Sequence, residues 1–335
     1  MLTMETRNFL QEEWNAVVVQ FEDLNFMQLW EYGEAKRITQ GWQVFRHLFR
    51  VHGKIVGAAQ ALVKTLPFTR RGLVWINRAP LAKLYGAPYS DLLQEMSFTL
   101  KRYWVDERRM YLRIVPTLPD SPSSLQLMEE CGLQIIPKSQ WISARVDLTK
   151  DVDDLREQLS QNWRRGLKKA EESGLSYEVG SSENFVQRIN EEYQIFLQRK
   201  RFKTNFTPHF IRTLQNLLPL ERKMYIIRGY KDKQSQGSIL FGCYGHTAEF
   251  LAETLNEEGR QSNAGRLLFW NALLGLKQRG FLLLDLGGVH PKETPEGILR
   301  FKSGFRGTAY QLVGTFEAAH GTLARLTKNI VAHFA

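Results

Sequence analysis

The same order of predicted elements occurs twice along this chain. The first half contains, in order, a polar turn at 52–54, strands at 55–63 and 73–76, a helix at 90–104 and a strand at 110–115. The second half contains a turn at 231–236, strands at 237–244 and 247–251, a helix at 264–278 and a strand at 281–286. The offset stays nearly constant, as between Gly57 and Gly237 or between Arg113 and Asp285. This repetition predicts a duplicated α+β module in which each copy is a mixed sheet flanked by helices.

The length of the chain agrees with a division into two domains. Its 335 residues exceed the size at which a single hydrophobic core usually stops growing. The segment 147–156 contains Thr149 and Asp151, either of which could cap a following helix, and is interpreted as the crossover between the halves. No low-complexity linker separates them.

Composition favours a cytoplasmic protein with a basic surface. Hydrophobic residues make up 43% of the chain, but no run approaches the roughly 20 apolar residues of a membrane span. The first residues do not have the pattern of a secretory signal, and the two cysteines, Cys131 and Cys243, suit a reducing compartment. The net charge of +10 indicates either a solvated basic surface or a polyanionic partner, such as RNA, a nucleotide-linked substrate or an anionic membrane face.

Several common sites are excluded by their missing motifs. The sequence has no Gly-x-Ser-x-Gly nucleophile elbow and no phosphate loop ending in Gly-Lys-Ser or Gly-Lys-Thr, its seven histidines are scattered, and its two cysteines lack metal-site spacing. His290 lies two residues after the glycine pair Gly287-Gly288, and we interpret it as a loop residue rather than as a catalytic base. We therefore expect no metal and no nucleotide-hydrolysing site.

A basic helix is predicted at 162–174, ending at Gly174. Helical spacing places four of its cations on one side, namely Arg164, Arg165, Lys168 and Lys169. This cluster is either an ordinary solvated face or a surface that meets phosphates.

The segment 284–307 concentrates glycines around a single lysine. The strand that ends near Asp285 breaks at Gly287 and Gly288, and a polar segment then leads to Arg300, Phe301 and Lys302. If residues 300–302 form a strand, Arg300 and Lys302 share one face and Phe301 lies on the other. Glycines allow the backbone to approach a substrate closely. We therefore expect Gly287, Gly288, Arg300 and Lys302 to line a substrate cleft; the alternative for Lys302 is an exposed residue in a strand.

A module of this layout resembles the acetyltransferase (GNAT) superfamily, whose members hold the pyrophosphate of coenzyme A at a glycine-rich helix start. The corresponding segment here, 260–266, does not have the spacing of that loop. Coenzyme A is therefore disfavoured, and no cofactor is expected.

The motifs in order resemble the FemABX family, the non-ribosomal peptidyltransferases that build interpeptide bridges of bacterial peptidoglycan. The segments that carry this resemblance are 30–36, 41–42, 127–133, Trp141, 146–148, 162–174, 264–270, 285–288 and 300–305. The resemblance implies two tandem GNAT-like domains with the C-terminal segment folded back on the first. The predicted domains are 1–148 with 317–335, and 149–316.

The resemblance also implies an activity and its partners. Members of the family transfer an amino acid from aminoacyl-tRNA to an amine on the stem peptide of a UDP-linked or lipid-linked precursor. A lipid-linked precursor would bring the protein into peripheral contact with the inner membrane face. The implied roles are electrostatic stabilisation of the reacting ester by Lys302 and binding of the precursor diphosphate by Lys36, which otherwise is a polar helix residue.

The sequence departs from the family pattern at two positions. The family arginine expected to share the diphosphate is replaced near Thr207 and Pro208, and Arg201, a few residues upstream, is the substitute candidate. Val115 stands where some members have a carboxylate, so no general base is visible there. The first departure bears on the UDP-linked acceptor, and the second suggests that the amine loses its proton to substrate or water.

Two other functions remain open from the sequence. One is an acyl-coenzyme A-dependent N-acyltransferase, and the other is a non-catalytic protein that binds RNA or a membrane surface on the same scaffold. Separate measurements of deacylated tRNA binding and of coenzyme A binding would distinguish the tRNA-dependent transferase from the coenzyme A-dependent one, and turnover would distinguish the tRNA-dependent transferase from the non-catalytic protein.

Overall fold

The computed structural model describes residues 1–67, 71–86, 92–200 and 204–321. Two compact units divide the described chain, one comprising Met1–Trp141 and residues 311–321, the other Ile142–Tyr310. Among the described residues, no helix combines the length and the apolar character needed to cross a membrane.

Strands are distributed over both units. In chain order they are β1 (Leu2–Arg7), β2 (Gln43–Val51), β3 (Lys54–Thr65), β4 (Gly72–Asn77), β5 (Tyr111–Val115), β6 (Gln134–Ile135), β7 (Trp141–Asp147), β8 (Ser176–Val179), β9 (Tyr225–Lys231), β10 (Gln234–Tyr244), β11 (Thr247–Glu253), β12 (Leu283–Asp285), β13 (Thr308–Leu312) and β14 (Phe316–Ala318).

Helices flank these strands. In chain order they are α1 (Gln11–Val18), α2 (Trp30–Gln40), α3 (Leu93–Lys101), α4 (Pro122–Glu130), α5 (Val152–Gln158), α6 (Gln161–Glu171), α7 (Glu183–Lys200), α8 (Pro208–Leu217), α9 (Glu257–Gln261), α10 (Ala264–Gln278) and α11 (Glu296–Ser303). Short 3₁₀ turns occupy Phe26–Gln28 and Leu220–Arg222, and a π-helical turn at Arg102–Glu107 continues α3.

Each unit contains one seven-stranded mixed sheet. The strand orders are β1-β2-β3-β4-β5-β14-β6 in the first sheet and β13-β7-β12-β11-β10-β9-β8 in the second. In both sheets, antiparallel hairpins are followed by a parallel pair joined through a helix: β4 and β5 through α3, and β11 and β12 through α10. The predicted α+β class with a duplicated mixed-sheet module is therefore confirmed.

Local rules account for the hairpin turns. His52 and Gly53, between β2 and β3, both have positive φ, of 49° and 77°. Asp232 and Lys233, between β9 and β10, repeat this with 51° and 65°. Two consecutive residues of positive φ make the turn whose twist matches that of the flanking strands. The polar turns predicted at 52–54 and 231–236 are therefore hairpin turns in the structure, but each is confined to two residues, since β3 begins at Lys54 and β10 at Gln234.

The unit boundaries differ from those predicted. The predicted division after residue 148 assigned β7 to the first domain, whereas β7 pairs antiparallel with β12 in the second sheet, with Val146 opposite Leu284. The second crossing falls at 310/311 rather than at 316/317. The predicted boundary rested on Thr149 and Asp151 as candidate helix caps. Such a cap indicates where a helix begins, but it gives no information about which sheet the preceding strand joins. Residues 322–335 of the predicted first domain lie outside the described residues.

Candidate functional site

The segment that follows β12 differs from its predicted form. Residues 296–303 form the helix α11, so the strand predicted at 300–302 is wrong. Positions two apart on a helix point in nearly opposite directions. Accordingly, the Arg300 side chain is 71% exposed and pairs with Glu296, while Lys302 is only 6% exposed. The structure therefore does not place Arg300 beside Lys302.

Lys302 lies against the glycine turn that follows β12. Its Nζ donates a hydrogen bond to the Gly288 carbonyl at 3.0 Å and lies 4.8 Å from the centre of the Phe250 ring. Burial lowers the pKa of Lys302 to about 8, although nearby carboxylates, Glu253 first among them, favour the charged form. At neutral pH the side chain is thus mainly an ammonium, held in a poorly solvated position. Lys302, Gly287 and Gly288 are brought together as predicted.

Asp285, at the end of β12, holds this turn in place. The carboxylate is 1% exposed and accepts hydrogen bonds from Ser143 Oγ at 2.5 Å, Tyr310 Oη at 2.6 Å and the Gly287 N–H at 2.9 Å. Arg145 Nε adds an ion pair at 3.4 Å. A buried carboxylate needs such partners, since an unpaired one is costly. Asp285 therefore fixes the turn whose carbonyl positions Lys302.

Gly287 is required by this geometry. Its φ of +67° belongs to a region that residues with a side chain rarely adopt, and a Cβ here would lie 3.0 Å from the Phe250 carbonyl oxygen. The sequence reasoning singled out Gly287 but missed the Asp285 network. The only local signal was an acidic residue ending an apolar strand, because Ser143 and Tyr310 are distant in sequence.

Lys302 opens onto a cavity of about 680 Å³ within the second unit. Its apolar walls include Phe250, Phe301 and Ile298. Among the residues that the structure describes, the charged ones lining it are Glu253, Arg260, Arg266 and Lys302. The volume lies within the range of small-molecule sites. The cavity therefore combines apolar walls with a few charged groups near the candidate reacting centre.

The start of α10 lies at this cavity. Asn263 precedes the helix with a φ of 61° and lines the cavity with Gly265 and Arg266. Arg266 Nη1 donates to the Asn263 side chain, whereas its buried Nε has no hydrogen-bond partner among the described residues. Burial lowers the pKa of Arg266. A helix start with a partly satisfied guanidinium is suited to an anionic group, although segment 260–266 lacks the coenzyme A loop spacing.

The predicted basic helix, α6, packs directly on α11. Its buried Trp163 donates a hydrogen bond from Nε1 to the Phe301 carbonyl at 3.1 Å, and the Trp163 and Phe305 rings lie 4.5 Å apart. Gly166 lies under Arg266, because a Cβ at Gly166 would come within 2.7 Å of that side chain. The helix is therefore adjacent to both Lys302 and the cavity.

All four predicted cations of α6 are exposed, but they are not equivalent. Arg164 donates to the Leu159 carbonyl at 2.9 Å and so ties α6 to the preceding turn. Lys168 lies 3.9 Å from Glu172. In the part of the chain that the structure describes, Arg165 and Lys169 have no carboxylate within ion-pair distance. These two are the most available for an external anion.

Lys36 lies in the first unit, on α2, and is 7% exposed rather than solvated. Its Nζ donates to Gln40 Oε1 at 2.9 Å and lies 5.6 Å from the centre of the Tyr32 ring. Burial, and secondarily the positive charge of Lys64, lower the pKa of Lys36 to about 8. The positive charges of Lys36 and Lys64 repel each other, and a bound anion would offset that repulsion. Arg201 lies outside the described residues.

No cluster of three His, Cys, Asp or Glu side chains suited to a metal ion occurs among the described residues. Cys131 and Cys243 are buried and unpaired, and burial raises the pKa of the Cys131 thiol to about 11 and that of Cys243 to about 12. Neither cysteine is therefore activated as a nucleophile.

The model of the FemAB family matches residues 220–330, which include β9–β12, α10 and α11. A search of curated protein sequences found no match. The crystal structure of FemX aligns with a TM-score of 0.81 at 14% identity, covering 98% of this chain and 99% of that one.

Two further solved structures share the fold more loosely. A tandem GNAT protein from the clavulanic acid biosynthesis pathway aligns with a TM-score of 0.55 at 12% identity, covering 96% of this chain and 99% of that one. The structure of L-PGS from Bacillus licheniformis aligns with a TM-score of 0.52 at 11% identity, covering 82% and 86%. The solved structures confirm the fold of two tandem GNAT-like domains, and the family match supports the FemABX resemblance over residues 220–330.

Proposed function

We propose that this protein is an aminoacyltransferase that moves an amino acid from aminoacyl-tRNA to an amine on the stem peptide of a peptidoglycan precursor. The observation that carries the proposal is the buried ammonium of Lys302, which faces a cavity flanked by the exposed basic helix α6. The FemAB family match over residues 220–330 supports the reaction class. Because charged tRNA is made in the cytoplasm, the proposal places the protein there.

The chemistry follows from the position of Lys302. A neutral amine attacks the ester carbonyl, so that a C–N bond forms and the carbonyl oxygen becomes an oxyanion. An ammonium that is already positioned stabilises this charge without reorganisation. The intermediate then collapses, the ester C–O bond breaks, and the proton of the amine ends on the departing ribose oxygen. No side-chain base is assigned to the proton transfer.

The exposed face of α6 is proposed to bind the phosphates of tRNA. Replacing Arg165 and Lys169 with glutamine is expected to reduce the slope of log affinity against log salt by about one per cation. Each phosphate contact that is lost reduces the number of counterions released when tRNA binds. Filter binding of deacylated tRNA across a salt series measures this slope. The matched control is Lys54→Gln with Lys138→Gln, which removes the same net charge from exposed positions of the first unit. Equal slopes for the two double variants would make α6 an ordinary solvated helix.

The site around Lys36 is proposed to bind the precursor diphosphate. Lys36→Ala is expected to raise the KM for the precursor roughly 10- to 100-fold, the effect of one lost hydrogen bond to a charged group, with tRNA binding unchanged. Initial rates against precursor concentration measure it, and Lys54→Ala, an exposed lysine in β3, is the control. An unchanged KM would remove Lys36 from the acceptor site and make Arg201 the next residue to replace.

The decisive experiment is a survey of charged tRNAs against UDP-linked and lipid-linked precursors. Amide formation with any pair, analysed by mass spectrometry, supports the proposal and identifies the acceptor. If the acceptor is lipid-linked, peripheral contact with the inner membrane face follows. Salt-sensitive tRNA binding with no turnover for any pair would instead indicate the non-catalytic protein.

A second candidate is the acyl-coenzyme A-dependent N-acyltransferase. The observation that favours it is the anion-suited start of α10 at the cavity, with Arg266 beside Asn263. Isothermal titration with coenzyme A tests it directly. Binding of coenzyme A without binding of tRNA would replace the first proposal with this one.

A further inference from the structure

The alternation of side chains between the two faces of the sheet is interrupted in strand β11, next to the cavity. Phe250 pairs with Phe241 of β10 and Ala252 pairs with Leu240, so Leu251 is an extra residue and the register shifts there. In a regular strand, positions three apart face opposite sides of the sheet. The bulge places Phe250 and Glu253 on the same side, and both line the cavity with Lys302. Bulges often redirect a side chain next to an active site in this way.

The charges around this cavity are divided by sign. Arg260, Arg266 and Lys302 are cations, whereas Glu253 is the carboxylate among the cavity-lining residues of the described chain. Glu253 is half-buried. It is also the carboxylate that most strongly favours the ammonium form of Lys302. The cavity therefore presents both signs of charge to its contents, which suits a ligand that is positive at one point and negative at others.

An aminoacyl ester of RNA has this distribution of charge. Its phosphates are anionic, its carbonyl oxygen gains negative charge during transfer, and its α-ammonium is one carbon away from that carbonyl. A group that binds the ammonium must therefore lie close to the group that binds the carbonyl oxygen. Glu253 and Lys302, in one cavity, satisfy this requirement.

We propose that Glu253 is the ammonium-binding residue of the cavity and selects acyl groups that carry a free α-ammonium over those that lack one. The inference rests on the proposed function and deepens it, because it names the feature of the acyl donor that the cavity recognises. Phe250 and Phe301 would then contact the amino-acid side chain through their apolar faces.

Glu253→Gln, which keeps the shape of the side chain and removes its charge, tests the inference. The substrates are an aminoacyl-tRNA that turns over in the survey and its 2-hydroxyacyl counterpart, made from the same tRNA by deamination with nitrous acid. The natural protein is expected to prefer the aminoacyl ester in kcat/KM by roughly 10- to 100-fold, as for one charge-assisted hydrogen bond. In Glu253→Gln this preference should shrink by about that factor, with transfer of the 2-hydroxyacyl group changed far less than transfer of the aminoacyl group.

Rates are measured at pH 6.5, where Lys302 stays an ammonium even if the loss of a neighbouring carboxylate lowers its pKa. Glu258→Gln, an exposed carboxylate on α9, is the matched control and should keep the full preference. An equal loss with both esters, or a preference unchanged by Glu253→Gln, would overturn the role of Glu253 and leave the aminoacyltransferase proposal standing. Turnover of no aminoacyl-tRNA by the natural protein would overturn both.

Discussion

Replacing Lys302 with methionine is expected to lower kcat by roughly 100- to 1,000-fold with little change in either KM, as for the loss of one oxyanion donor. Methionine keeps an unbranched apolar side chain in the place of the lysine stem and deletes only the ammonium. In the natural protein, kcat should also fall as the pH rises through about 8, because the ammonium loses its proton there. Single-turnover rates between pH 6 and 9 measure both effects.

Arg300 provides the comparison for this variant. In the predicted strand, both Arg300 and Lys302 would have faced the cleft, and both replacements would have been damaging. In α11 the Arg300 side chain is 71% exposed, so Arg300→Met should retain near-normal turnover. A folded Lys302→Met protein with near-normal turnover would rule out the proposed mechanism.

The Lys302→Met protein should not be less stable at pH 7. Burial lowers the pKa of Lys302 from its ordinary 10.5 to about 8, so the folded state binds this proton less tightly than the unfolded state does. Below pH 8 the folded protein therefore bears the cost of a buried ammonium, and this cost declines as pH rises from about 8 towards 10.5. Any stability advantage of methionine should shrink over the same window, which thermal unfolding at several pH values measures.

Replacing Asp285 with asparagine is expected to lower kcat roughly 10- to 100-fold, because each hydrogen bond to a charged group contributes about 1.5–3 kcal/mol and the turn that positions Lys302 depends on three of them. The KM values should change little, since Asp285 is buried and acts through Gly287 and Gly288. Loss of its charge also disfavours the ammonium of Lys302, so the alkaline fall in kcat should move below pH 8.

The shift of the pH profile separates positioning from a purely structural role. Ser143→Ala and Tyr310→Phe each remove one donor and leave the charge of Asp285 in place, so they should lower kcat less and leave the profile nearer to that of the natural protein. An Asp285→Asn protein that has lost stability but retains both kcat and the alkaline limb would show that the network supports only the fold.

The sequence by itself determined the features that depend on residues close together in the chain. The helix predicted at 264–278 has those bounds in α10, and the two hairpin turns lie where polar residues and Gly53 allow positive φ. The repeated order of these elements was enough to predict two mixed sheets. Such features depend on interactions over a few residues, and the residue types present express them directly.

Only the tertiary structure decided which distant segments meet. Segment 298–302 is too short for its apolar pattern to distinguish a strand from a helix, and its packing beneath Trp163 accompanies the helical form. The sheet joined by β7 and the contacts of Asp285 with Ser143 and Tyr310 depend on pairings far apart in sequence. Burial and charge at a site are sums over all such neighbours. For that reason the sequence could name Lys302, whereas its low exposure, its lowered pKa and the turn that holds it follow from the folded chain.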